Sequence, residues 1–234
     1  AIPAHVRAML ADFGLRPSVS RSLELGLKGR SARDAAWRDE WAVAVFQTDT
    51  RDEIVTQTNT GGRSTFQNAG ATRRRGLEIA YTARPARHWT LHLAQTWLDA
   101  RYRDAFRTCA ATPCATPTLV IPAGNRIPGT ARSFTAAEIA WQPPQGWRAG
   151  LELRRSGRVH VNDANTDAAE SWWTAAGHVG YLWSRGDWAV EGTARVDNLF
   201  DTAFADRADF AFGNYRYFPA RGRAAFLSVD YLTN

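Results

Sequence analysis

The chain has 234 residues and a net charge of +6. That length suits one all-β unit, and no window holds the roughly 20 uninterrupted apolar residues of a spanning helix, which excludes a helical membrane protein. A pI near 9.9 raises nucleic-acid binding, but the arginines are scattered through strands and loops instead of gathered on one helix or face, so no nucleic-acid partner is expected.

In chain order, strand-like stretches fall at about 19–29, 39–48, 51–57 with extension toward 63, 64–83, 88–102, 131–142, 147–161, 172–184, 187–197 and 222–231. The third can be a lengthening of the second, so the count is nine or ten. Period-two alternation is clearest where Trp188, Val190, Gly192, Ala194 and Val196 interleave with Ala189, Glu191, Thr193, Arg195 and Asp197, the signature of a strand with one apolar and one polar face. A glutamate between two apolar residues recurs as Leu23-Glu24-Leu25, Leu77-Glu78-Ile79, Ala137-Glu138-Ile139 and Leu151-Glu152-Leu153. Such glutamates would face bulk water in a soluble sandwich and a polar lumen in a large barrel. The mean hydropathy of −0.39 does not separate the two, because alternation keeps a barrel strand's average low.

Two features favour the barrel. Short turns are bracketed by aromatic pairs, Tyr81 and Trp89, Trp141 and Trp147, Trp183 and Trp188, as in the girdle that barrels place at a water–lipid interface. Connections alternate as well: those near 83–88, 142–146 and 184–187 are short, while those near 103–130, 161–171 and 198–221 are long. Bacterial barrels have short periplasmic turns and long extracellular loops, so the aromatic pairs fall on the periplasmic side and residues 1–18 read as an extracellular segment. The fold expected is an antiparallel transmembrane β-barrel.

Several motifs stand in a recognisable order. They begin with Arg16-Pro17, Ser22-Leu23-Glu24-Leu25-Gly26-Leu27-Lys28, Phe46-Gln47-Thr48-Asp49, Asp52-Glu53-Ile54-Val55, Asn68-Ala69-Gly70 and Gly76-Leu77-Glu78. They continue with Leu98-Asp99-Ala100, Arg126-Ile127-Pro128-Gly129-Thr130 and Arg195-Val196-Asp197-Asn198-Leu199-Phe200-Asp201, then Pro219-Ala220-Arg221-Gly222-Arg223 before a final strand to Tyr231. Together they resemble the C-terminal half of the barrel of a TonB-dependent outer-membrane receptor of the siderophore type, over about residues 15–231. The resemblance implies a barrel of about 22 strands, of which residues 1–234 supply about the last ten, with the plug domain and TonB box absent from this sequence. It further implies active import of ferric siderophores or a similar scarce nutrient across a Gram-negative outer membrane, with outer-membrane lipid around the barrel and the TonB complex engaged through the N-terminal region. The family usually stops on an aromatic residue, whereas here Tyr231 is followed by Leu232-Thr233-Asn234.

On that reading, ligand contacts come from the extracellular loops and upper lumen wall, where arginines and aromatic rings suit anionic, aromatic chelates. Tyr102, Arg103, Arg158, His160, Trp172, Tyr215 and Arg216 occupy such positions. Cys109 and Cys114, in Cys-Ala-Ala-Thr-Pro-Cys, are spaced for a disulfide stapling an exposed loop, as an oxidising periplasm allows; a metal site is the alternative, without a further Cys or a His nearby. No catalytic constellation, cofactor or metal site is expected. His88 and His92 lie about 13 Å apart on one strand, and Asp163-Ala164-Asn165-Thr166-Asp167 lacks the glycine and terminal glutamate of a calcium loop, leaving a solvated turn. The rival readings are a self-contained small outer-membrane barrel, protease-like or adhesive, which if it folds alone would close its ten strands on themselves, and a secreted β-sandwich binding module.

Overall fold

The computed structural model describes residues 14–32, 37–60, 63–109, 116–211 and 214–233. In chain order its strands are β1 (Val19–Ala32), β2 (Arg38–Arg51), β3 (Ile54–Thr60), β4 (Arg63–Asn68), β5 (Thr72–Arg84), β6 (Trp89–Tyr102), β7 (Phe106–Thr108), β8 (Leu119–Ile121) and β9 (Ser133–Trp141). There follow β10 (Gly146–Ser156), β11 (Val159–His160), β12 (Ala168–Ala169), β13 (Trp172–Arg185), β14 (Trp188–Asp197), β15 (Ala205–Ala211), β16 (Asn214–Pro219) and β17 (Ala224–Thr233). Nine of them make one antiparallel sheet in the order β1-β2-β5-β6-β9-β10-β13-β14-β17, and the other eight pair as the hairpins β3-β4, β7-β8, β11-β12 and β15-β16. No helix of the described residues is long and apolar enough to cross a membrane.

Each hairpin interrupts a connection at one and the same end of the sheet, and the short turns lie at the other. The β13–β14 turn has two central residues, with Gly186 at φ +60° in the first, as a type II′ turn requires. The stretch at 51–63 is therefore not a tenth sheet strand, and the stretch at 64–83 is two elements. Asp52 (φ +55°) and Gly70 (φ +82°) break the extended path on either side. Between them the Glu53 N–H donates to Gly70 O at 2.9 Å and the Ala69 N–H to Glu53 O at 2.7 Å, tying off the hairpin base. With nine strands instead of ten, β1 and β17 run in the same direction. Closing these nine into a ring would pair two parallel edges in an otherwise antiparallel sheet.

Register assigns the faces. Leu25 pairs with Val45, Val45 with Leu77, Leu77 with Trp97, and on through Ala137, Leu153 and Ala175 to the last strands, where Ala194 pairs with Leu227. On the opposite face Glu24 pairs with Phe46 and Phe46 with Gly76, two residues from Glu78, while Glu138 pairs with Glu152. All four recurring glutamates thus share one polar face. The apolar face has no covering layer among the described residues: Leu23 is 76% exposed and Leu227 88%, the reverse of a soluble sandwich, where such residues would be inside. The compact core instead lies among the long loops, where Tyr102, Ile121 and Ala69 are buried against Val55, Phe106, Ile127 and Ala164.

The aromatic girdle is continuous on the apolar face near the short turns. Trp41 is registered with Tyr81 and Trp89 with Trp141; the Trp147 and Tyr181 rings meet edge to face at 5.3 Å, and those of Trp183 and Trp188 at 4.8 Å. A second set, Trp97 and Trp173, lies on the same face toward the long loops, with Trp173 against Phe200 at 5.1 Å. Trp89 and Trp97 are eight residues apart on β6, or about 26 Å along the strand, which a barrel tilt near 40° reduces to roughly 20 Å. That is close to the height of a barrel's apolar band.

Candidate functional site

The polar face and the loops above it hold the groups suited to a ligand. On β10 and β14, Glu152 and Arg195 face each other across β13, and Arg195 donates to Glu152 and, at 2.7 Å, to Asp197. Arg154, two residues from Glu152 and so on the same face, is largely exposed and reaches Glu152 at only 3.4 Å. A concavity of about 360 Å³ opens here, lined by Arg154, Arg195, Arg221, Phe204 and Asp206 among others. Beside it Trp172 stacks on Phe204 with ring centroids 4.1 Å apart. The wall offers a guanidinium free to bond outward and a flat aromatic surface, a pairing that suits an anionic, partly aromatic molecule. Its carboxylates, Glu152, Asp197 and Asp206, balance its three arginines, so affinity there would come from directed hydrogen bonds and stacking, not from net charge.

The residues expected from sequence are distributed unevenly. Trp172 is on this wall. Tyr102 is buried, and its hydroxyl donates to Asp163 Oδ1 at 2.7 Å while its ring meets Phe106 edge to face at 4.8 Å; it packs the loop core. Arg103 is exposed next to it, its backbone N–H held by Ala71 O. The ring of Tyr215 meets Phe210, and its hydroxyl is within 3.1 Å of Asn162 and 3.0 Å of Thr166. Arg216 donates to Asp209 at 2.6 Å, sharing that carboxylate with Arg207 and lying over the Phe218 ring. Arg216 first, then Arg207, holds the Asp209 carboxyl below its usual range. His160 pairs with Ala168 in the β11–β12 hairpin, and its buried Nδ1 has no hydrogen-bond partner among the described residues. Arg158 is 3.4 Å from Glu170, away from this wall. Cys109 is buried and disulfide-bonded, whereas Cys114 lies outside the described residues.

Two expectations for single residues are corrected. His88 is not on β6 with His92 but in the preceding turn with φ +68°, while His92 Nδ1 meets Thr82 Oγ1 at 3.0 Å. Segment 163–167 is more than a solvated turn, because it fastens three loops together. Asn165, with φ +56°, takes the Arg126 N–H at 2.7 Å and gives its own amide to Arg126 O at 2.9 Å. Asp163 accepts from Tyr102, and the Tyr217 hydroxyl donates to Asp167 at 2.6 Å. That bond pushes the Tyr217 hydroxyl up to about 12 and holds Asp167 low.

The motif residues also meet as fasteners. Arg16 bridges Asp52 at 2.6 Å, and Asn68 spans Arg16 and Asp52 through their backbones. Asn198, buried with φ +50°, bonds Thr202 and Arg221, and Asp201 accepts from the Arg223 N–H. The family profile "TonB dependent receptor-like, beta-barrel" matches residues 7–199. The chain belongs to the TonB-dependent receptor family. Among solved structures it resembles the siderophore receptor PiuA from Acinetobacter baumannii (20% identity, TM-score 0.73, 92% of this chain and 28% of that one). It also resembles the ferric-catecholate import receptor Fiu from K12 E. coli in its closed form (22%, 0.66, 93% and 28%) and the copper transporter OprC (15%, 0.63, 94% and 32%). The chain thus spans about a third or less of these proteins, and at such identities the likeness is one of fold. TonB-dependent receptors are receptors and not enzymes, in line with the sequence reading.

Arg154, Arg221 and Phe204 escaped the sequence reading. The parity that marks Glu152 as polar-facing applies equally to Arg154 and could have found it. Phe204 and Arg221 carry no such signal, because their positions depend on how the 198–223 connection folds back.

Proposed function

We propose that this chain is part of the barrel wall of a Gram-negative outer-membrane transporter that binds and imports a ferric siderophore or similar anionic iron chelate with TonB-coupled energy. Membership in the receptor family supports transport. The observation that carries the ligand class is the wall where exposed Arg154 and Arg221 flank the stacked Trp172 and Phe204. Backbone likeness alone would not choose the cargo, since a copper transporter shares it. Arg103, Tyr215 and Arg216 extend the proposed contact surface into the loops, and a Cys109–Cys114 disulfide would staple the loop between β7 and β8.

The test is uptake of radiolabelled ferric chelates by iron-starved cells with and without the gene. Accumulation should require the gene and an energised inner membrane, and Arg154→Ala with Arg221→Ala should weaken chelate binding by roughly tenfold or more, the scale of one to two charge-assisted bonds. Accumulation that is indifferent to the gene, or to membrane energy, would sink the reading.

A further inference from the structure

The wall proposed to hold the ligand is built from two separate parts of the chain. Arg154 and Trp172 stand on sheet strands β10 and β13, whereas Phe204 and Arg221 belong to the 198–223 connection that carries the β15–β16 hairpin. The wall keeps its shape only if that connection leans over the sheet at a fixed angle. At its foot Asn198 bonds Thr202 and Arg221, and the Asp201 carboxylate takes the Arg223 N–H. An attachment at the foot alone leaves a hairpin free to swing. A second attachment lies farther up. Tyr215 and Tyr217, two residues apart on β16 and so on one face, put their hydroxyls on segment 162–167. Ala208, the partner of Tyr217 on β15, is buried on the same face, where its small side chain lets the hairpin close in.

The surface they meet is itself prepared. Asp167 Oδ1 accepts the Ala168 N–H at 2.8 Å, which leaves Oδ2 for the Tyr217 hydroxyl at 2.6 Å. Asn162 takes the Thr166 N–H at 3.1 Å and gives Nδ2 to Thr166 Oγ1 at 2.8 Å, so the Tyr215 hydroxyl sits between Asn162 Nδ2 and Thr166 Oγ1. Asp163 and Asn165 tie this segment in turn to Tyr102 and Arg126 of the neighbouring loop. We infer that Asp167, with Asn162 and Thr166, forms a latch that sets the lean of the β15–β16 hairpin and thereby holds Phe204 on Trp172 and Arg221 beside Arg154. These three are positioning residues: they lie outside the concavity and act on it through Tyr215 and Tyr217. Both tyrosines are about half exposed, at 45% and 43%. The latch is therefore made at the surface, and each hydroxyl bond contributes on the modest scale of a solvated one.

The inference rests on the ligand wall proposed above, and its first test needs no ligand. Hydroxyl-radical footprinting of the full chain in mild detergent, read by peptide mass spectrometry, gives the reactivity of individual tryptophans. Tyr217→Phe, which removes one oxygen and keeps the ring, should raise oxidation of Trp172 by about threefold to tenfold, the scale of one part-exposed hydrogen bond, and Tyr215→Phe should act in the same direction. Asp167→Ala should match Tyr217→Phe, while Asp167→Asn, which keeps an acceptor, should stay near wild type. Trp183, toward the other end of β13, should not change in any of them. An unchanged Trp172 in both tyrosine variants, or equal rates in Asp167→Asn and Asp167→Ala, would overturn the latch. With the radiolabelled ferric chelates of the uptake assay, Tyr217→Phe should raise the concentration for half-maximal uptake and keep the maximal rate; a fall in maximal rate alone would refute a positioning role. Absence of gene-dependent uptake would overturn the ligand reading and the latch's part in it, and an unchanged footprint with intact uptake would overturn the latch alone.

Discussion

At the scale of single residues, the side chains that matter most for order are the small polar ones in loops. Asn165 satisfies both backbone groups of Arg126 from a left-handed conformation that asparagine tolerates better than most residues. Asn165→Ala leaves a half-buried N–H and C=O unpaired, at about 1–3 kcal/mol of local stability; faster amide exchange or proteolysis across 126–132 is the expected result, and unchanged rates would refute it. Asp163 gives a pH dependence of definite sign. Burial raises its carboxyl above 3.8, and the Tyr102 bond only partly opposes that. The folded state therefore holds the proton more tightly, so this contribution is fully present below about 3.8 and is lost as pH rises through the raised value. Asp163→Asn, which can still accept from Tyr102, should protect the loop better than wild type at neutral pH and flatten its acid-side pH profile. The same protease rates across that range for both proteins would contradict the argument. None of these contacts was legible in the sequence, where Asp163-Ala164-Asn165-Thr166-Asp167 reads as a turn: the partners are up to 61 residues away.

Elements were legible where alternation lasted long enough to be counted, and misread where alternation continued through a break. β3 and β4 alternate as a spanning strand does, and only the positive φ at Asp52 and Gly70 diverts them into a hairpin. Packing within the sheet yields a test pair of glycines. A Cβ at Gly76 would come within 2.5 Å of Trp97 O and 2.6 Å of Phe46 Cζ, whereas one at Gly192 would meet nothing within 4 Å. Gly76→Ala should destabilise the β2–β5–β6 ladder by about 1–3 kcal/mol, as overpacking does. Gly192→Ala should be neutral or slightly stabilising. Urea midpoints in detergent micelles check both, and equal midpoints would remove the close approach as the reason for Gly76.

For the whole molecule, the decisive property is that the nine-stranded sheet has one polar and one apolar face with the apolar one uncovered. If lipid covers it, Leu151→Arg at mid-height should cost about 2–4 kcal/mol, while Ser228→Arg on the polar face should stay within about 0.5 kcal/mol. Reversible unfolding in bilayers reads the difference, and equal costs would mean that Leu151 does not face lipid. The same geometry separates two groups of arginines: Arg154 and Arg195 lie on the polar face, and Arg75 and Arg155 on the apolar face, although Arg154 and Arg155 are adjacent in sequence.

The sequence by itself determined the class of fold, the two faces of each strand, the end that carries the girdle and the family, because alternation, interfacial aromatics and turn residues are local properties of the chain. Only the tertiary structure decided that nine strands and not ten make the sheet and that loops 103–132, 157–171 and 198–223 are fastened through Asn162, Asp163, Asn165 and Asp167. It also decided which arginines share a groove. Those outcomes depend on register and on contacts between residues dozens of positions apart, and long-range pairing leaves no periodic mark in the sequence.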